Sequence, residues 1–424
     1  MQNQPGFIGT AHRLAWLGTV ALVLGLPAAA AAQDAAPAQP PSAPPTRVDA
    51  SGTGVTFGSG NNTLTISNRV QIRWTLDDRE ASDTDTAGSG VGRDDGPLTA
   101  FDVARDRLTL SGGAYRPWLR YSFQLEFGRT NGANDSKIKD AYLEIRPPDR
   151  PYRFQIGQMK APFSLQQLTS SGRLQFVERA FTDSKFVPGR DTGAQIIGTI
   201  GSAKAGYAGG VFNGAGESLP QNTGAALYVG RIFVNPLGTY APAEGSVEGV
   251  AEPVVHLGAG VHTGKAIRGR SPAGVIEDVD NQTAANAEAA YRTGRLFAAA
   301  EYFWMRDEQQ NPVALRGIDS RGYYAQVGYM VVPRRIELAA RVSAVDGDTR
   351  VDDSDVREVR GVFGYFWRGH NLKLQVDAGR VSYEAGYSTM SARARQGLPS
   401  VGPRLVSGEA LADVQVRVQM QLAF

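Results

Sequence analysis

From Thr63 onward the chain is a series of segments, each about ten residues long, in which apolar and polar side chains alternate at period two. The last segment is the plainest. Val414, Val416, Val418, Met420, Leu422 and Phe424 fall on one face, and Gln415, Arg417, Gln419 and Gln421 on the other. WLRYSFQLEF sets Leu119, Tyr121, Phe123, Leu125 and Phe127 against Arg120, Ser122, Gln124 and Glu126, and RIELAARVSAV and NLKLQVDAGR repeat the scheme. A soluble β-sandwich also alternates. Charged residues recurring opposite the apolar face fit better a lipid-facing wall around a wet lumen, and ten residues is the length of a tilted membrane strand.

About sixteen such segments can be placed, an even number as an all-β antiparallel transmembrane barrel requires. They begin near Thr63, Val103, Trp118, Ser136, Tyr152, Asp191, Lys204, Gly224, Pro253, Ala284, Arg295, Arg321, Arg335, Arg357, Asn371 and Asp413. Connections alternate in length. Short ones at 114–117, 147–151, 293–294, 333–334 and 368–370 are interleaved with long ones at 76–102, 161–190, 264–283, 307–320 and 383–412. Short inner turns and long outer loops are the rule in such barrels. The connection 235–252 breaks it, being long where parity asks for a short turn; it is either an elaborated turn or a missed strand pair.

The long connection at 161–190 is expected to fold into the lumen. It is about twice the usual length of a connection without structure of its own. Phe163, Leu165, Leu168, Leu174, Phe176, Phe181 and Phe186 give it apolar anchors. With the strand end before it, it carries Lys160, Arg173, Arg179, Lys185 and Arg190 against Glu178 and Asp183.

The first 60 residues read differently. Arg13 precedes an apolar run from Leu14 to Leu26, and Ala30-Ala31-Ala32 before Gln33 fits a cleavage site. The run is about 13 residues, short of the ~20 a spanning helix needs. Residues 1–32 are thus expected to be a cleaved signal peptide, 33–60 a Pro/Ala-rich N-terminal tether, and 61–424 the barrel domain. Losing Arg13 leaves 43 Lys and Arg against 42 acids, a balance that does not suit nucleic acid as partner. With no Cys there is no disulfide or thiolate site.

The lumen-facing register is rich in arginine: Arg69, Arg73, Arg105, Arg107, Arg120, Arg153, Arg231, Arg341, Arg360 and Arg417. Acids on that face are fewer, chiefly Glu126, Glu144, Glu301, Glu337 and Asp377. Such arginines either brace the wall by pairing across strands or form the ring of charge that makes a pore anion-selective. The expected anion path runs past Arg73, Arg107, Arg120, Arg153, Arg231, Arg341 and Arg417 on the wall. At the constriction loop it passes Lys160, Arg173, Arg179, Lys185 and Arg190. A hydrolase is not supported. His256 and His262 share a strand face about 20 Å apart at ~3.3 Å per residue, His370 sits in a turn, and no His stands beside a Ser or Asp as a triad needs. No catalytic residue, cofactor or metal site is expected.

DAYLEIRPPDRPYRFQIGQMKAPFSLQQLTSSGRLQFVERAF, followed by PGRDTGAQIIG, resembles the phosphate-selective porin O/P family of Gram-negative outer membranes. The resemblance is specific over 140–198 and looser over 61–424. It implies a homotrimer of sixteen-stranded barrels in outer-membrane lipid and lipopolysaccharide, with the third outer loop inside the lumen. It also implies phosphate or polyphosphate as the solute, along a path lined by arginines with lysines at the constriction. GQMKAPFS supplies Lys160, and ERAF supplies Glu178 and Arg179. The alternatives are a general porin or one for organic anions or sugars, with weak selectivity, and a plugged structural barrel.

Overall fold

The computed structural model describes residues 46–80, 97–127, 129–130, 133–134, 136–217, 226–270, 276–311, 317–401 and 408–424. The expected signal peptide and the tether up to 45 lie outside these. Arg47–Asp49 (β1) and Val55–Ser59 (β2) are short strands; β2 pairs with the start of Asn62–Arg79 (β3). The chain then runs through Leu98–Ala114 (β4), Arg116–Glu126 (β5), the small pair Arg129–Thr130 (β6) and Ala133–Asn134 (β7), Lys137–Ile145 (β8) and Tyr152–Lys160 (β9). Arg190–Ile200 (β10), Ala205–Phe212 (β11), Leu227–Leu237 (β12), Val254–Arg270 (β13) and Ile276–Thr293 (β14) follow. Leu296–Asn311 (β15), Ile318–Val332 (β16), Ile336–Asp346 (β17), Val356–Arg368 (β18), Leu372–Tyr383 (β19) and Leu411–Ala423 (β20) complete the wall. One sheet holds eighteen strands. Setting β1 and β2 aside, sixteen antiparallel strands close on themselves where β20 pairs with β3, from Asp413 beside Arg79 to Ala423 beside Arg69. The last residue finishes the seam: Phe424 donates to the carbonyl of Asn68 at 3.0 Å and accepts its N–H at 2.8 Å.

Each of the sixteen segments read from the alternation is a strand. Ile156, Ile232, Leu338, Val359 and Phe424 point out and are exposed, while Gln155, Arg231, Glu337, Arg341 and Lys373 point in and are buried. Several strands run past the apolar band. β14 begins at Ile276 rather than near Ala284, and its polar start IEDVDNQT stays laddered to β13, with Gln282 opposite Gly264 and Asn281 opposite Lys265. Outside the hydrocarbon the ladder needs only backbone bonds, so apolar patterning stops before the strand does. Residues 238–253 contain no strand. The connection that breaks parity is an elaborated turn.

The loop 161–189 lies inside the barrel. It holds two short helices, Leu165–Leu168 (α1) and Thr182–Phe186 (α2), and a 3₁₀ turn at Ser171–Arg173. Phe163, Leu174, Phe176 and Phe186 are each at most 1% exposed. Phe186 stacks on Phe303 of β15 at 5.3 Å, and Phe163 meets His262 edge-on at 4.7 Å. Leu165 joins a second apolar cluster with Tyr240, Val254 and Phe297. The aromatic spacing in the sequence is thus the packing face of a plug.

Candidate functional site

A loop packed inside a barrel brings backbone polar groups with it, and each needs a partner. Acids of the wall take the N–H groups. Glu288 accepts from Leu165 N at 2.8 Å, and Glu301 accepts from Gln166 N at 2.7 Å and Ser164 Oγ at 3.2 Å, so two carboxylates meet the start of α1. Glu337 takes Gln175 Nε2 at 2.8 Å, and Asp377 takes Val177 N at 3.1 Å. Cations close the carbonyls. Lys160 donates to Leu168 O and Thr169 O at 3.3 and 3.2 Å, Arg179 to Gln166 O and Thr169 O at 2.9 and 2.7 Å, and Lys373 to Leu174 O at 2.8 Å.

The wall from β17 round through β20 to β8 is built differently. Arg341 pairs with Glu358, Glu358 with Arg360, Arg360 with Asp377 and Asp377 with Arg417, all between 2.8 and 3.1 Å. Glu178 of the loop bonds both Arg73 and Arg105, the latter at 2.6 Å. Glu126 bonds Arg107 at 2.9 Å and Lys139 at 3.2 Å. Each of these four carboxylates is shared by two cations; Lys139 also bonds Glu217 at 2.7 Å, which leaves seven cations to five carboxylates, a positive surplus although every member is paired. Burial alone would raise the Glu178 carboxyl, but Arg105 and Arg73 outweigh it and hold it well below the usual carboxylate range. Asp183 goes the other way, burial raising it against the pull of Arg179 and Lys160.

Two spaces flank this wall. An outer cavity of about 540 Å³ is lined by Arg79, Arg105, Arg179, Arg360 and Arg417 together with Asp77, Glu178, Asp183, Glu358 and Asp413. An inner one of about 180 Å³ is lined by Arg69, Arg107, Ser170, Arg173, His370 and Gln421, with no carboxylate in its lining. Between them Arg69 and Arg107 stand opposite each other in register, and both donate to Ser171 Oγ, at 3.0 and 2.8 Å.

The twelve residues expected along the path fall into separate groups. Arg73, Arg107, Arg341 and Arg417 belong to the shared-carboxylate wall, and Arg179 lines the outer cavity. Arg190 forks onto Asp140 at 2.9 and 3.1 Å, and Arg153 pairs with Glu144 at 3.2 Å. Arg231 is buried on the opposite side, bonded to Glu288 and to His256. Lys160 has its ammonium on loop carbonyls. Lys185 is 4% exposed and donates to Ala394 O in the short helix Ala392–Arg395 (α3) of the last outer loop, which makes it a tie between loops. Arg120 and Arg173 are exposed and have no carboxylate partner among the described residues. Lys139, Lys373 and Glu244 were not singled out by sequence; alternation shows that a residue faces inward, but not which residue lies across from it. Among the described residues no group of His, Asp and Glu is arranged to hold a metal.

The family model described as phosphate-selective porin O and P matches residues 75–393. No curated protein sequence matches. Among solved structures, a loop L8 deletion mutant of OmpT, an outer membrane protein of Vibrio cholerae, aligns with a TM-score of 0.51 at 12% identity, over 84% of this chain and 99% of its own. The outer membrane channel DcaP of Acinetobacter baumannii aligns with a TM-score of 0.51 at 14% identity, over 85% and 97%. In-vitro folded Vibrio cholerae OmpT in a trimer form gives 0.50 at 12%, over 84% and 99%. At these identities the likeness is one of fold.

Proposed function

Since the chain belongs to the phosphate-selective porin O and P family, and is thus an outer-membrane porin of Gram-negative bacteria and not an enzyme, we propose that it passes small anions, with phosphate or polyphosphate as the preferred solute. The observation that carries this reading is the sharing of Glu358, Asp377, Glu178 and Glu126 by seven cations along one continuous side of the lumen. A paired guanidinium still offers free N–H donors, and the unmatched charge sets the sign of the potential. An anion entering the outer cavity would exchange part of its hydration for Arg105, Arg360 and Arg417, then pass Arg107 and Arg69 to the inner one. Several weak sites in series let it leave as readily as it enters.

Assembly as a homotrimer in lipid and lipopolysaccharide is part of the same proposal, supported by family membership and by the trimer form of a similarly folded outer membrane protein. The test is a chloride current through the purified protein in a planar bilayer, with phosphate added. Block at low phosphate supports a phosphate site; an unaltered chloride current points to a general anion pore.

A further inference from the structure

The turn 238–253 sits at the inner end of the barrel yet buries Tyr240, Glu244, Ser246 and Val247, each under 9% exposed. It is tied down along its length. Ser246 Oγ donates to Gly294 O at 2.7 Å, Arg292 donates to Ala243 O, and Val247 packs with Met330 and Phe366. Gly245 has φ +77°, a backbone conformation that strains other residues, and a Cβ there would push on the Glu337 carboxylate 2.7 Å away, so glycine is favoured at this point.

What the turn reaches is the constriction loop. The Glu244 carboxylate accepts from Gln175 N at 2.8 Å and from Gln166 Nε2 at 3.0 Å. Its own N–H donates to Arg173 O at 2.9 Å, and Tyr240 shares an apolar cluster with Leu165. Gln166 and Gln175 bracket the segment that brings Ser170 and Arg173 to the inner cavity and holds Ser171 against Arg69 and Arg107. The loop is therefore held from the outside by its own strands, from the sides by the wall, and from beneath by this turn.

We propose that the turn 238–253 is an inner latch for the constriction loop, with Glu244 the positioning residue that fixes Arg173 and Ser170 at the inner cavity. This rests on the reading of the barrel as an anion pore. Without the carboxylate the buried N–H of Gln175 loses its acceptor, the amide of Gln166 keeps only Gln326 Oε1 at 3.4 Å, and the loop gains freedom.

Glu244→Ala and Glu244→Gln channels, recorded singly in planar bilayers beside the unaltered protein, test this. The loss of a bond to a charged acceptor predicts brief closures about tenfold more frequent in E244A, with a reversal potential nearer zero. E244Q is intermediate, because its amide oxygen still accepts from Gln175 N. The heat-unfolding temperature of the barrel on gels changes little in E244Q, which separates latching from general stability. Closures and reversal potential as in the unaltered protein in E244A overturn the proposal; if E244A does not fold, unaltered closures in E244Q do so. Cation selectivity of the unaltered protein would refute the anion reading and leave the comparison of closures intact.

Discussion

Arg105 of the wall and Glu178 of the constriction loop meet at 2.6 Å, and the same carboxylate also bonds Arg73. One acid thus fastens the loop to the cationic wall while neutralising only half of the charge it touches. Glu178→Gln removes the acid and keeps the shape. The expected result is a reversal potential in a salt gradient shifted further toward that of chloride. A shift toward the cation would mean that Arg73 and Arg105 do not face the permeating ion.

The pH dependence of that fastening follows from the depressed Glu178 carboxyl. A carboxyl lowered in the folded state stabilises it above its unfolded value, about 4.3 for Glu, and the contribution is lost as pH falls through the folded value. The difference in unfolding temperature between the unaltered protein and E178Q should be constant from neutral pH down to about 5 and shrink below it. A difference that vanished between pH 8 and 6 would show that Glu178 is not held by the two arginines.

Glu288 supports the other side of the loop, bonded to Arg231, His256 and Leu165 N. Glu288→Ala leaves the buried Arg231 guanidinium without its carboxylate, with Leu165 N keeping only Glu301 at 3.2 Å, a change that typically costs about 3–5 kcal/mol. The barrel should unfold at a lower temperature on heated gels, with a smaller loss for Glu288→Gln. Equal unfolding temperatures for all three proteins would remove Glu288 from the docking wall.

Phe186 tests the apolar part of docking. Truncating a buried Phe costs roughly 3–5 kcal/mol, and Phe186→Ala forfeits the stack on Phe303. Sub-conductance states should become frequent while strand content by circular dichroism is retained. A steady single level would show that polar contacts alone hold the loop.

The barrel was legible in the sequence because lipid on one side and water on the other leave their mark residue by residue. Val414 to Phe424 alone carries both strand and face. The lumen plug was legible through Phe163, Phe176 and Phe186, which have no reason to sit in a solvated loop. The site was legible only as a composition. Arg107 and Arg341 announce an inward cation, but whether Glu126 or Glu358 lies across from it depends on cross-strand register, which alternation does not encode. Lys185 illustrates the limit: its charge marks it for the pore, and its contact with Ala394, over two hundred residues away in sequence, makes it a tie between loops. Glu244 is the converse case, one of three glutamates, with Glu248 and Glu252, in a turn whose irregular length was the only sign that it does something.

The central claim is that the lumen has a net cationic side wide enough to govern which ions pass. The most direct test is the reversal potential of single channels of the purified protein in a planar bilayer with a potassium chloride gradient. A value close to the chloride equilibrium potential, moving toward zero when Arg105, Arg360 and Arg417 are replaced together by glutamine, is the predicted result. A value on the potassium side, or one that ignores the triple replacement, contradicts it.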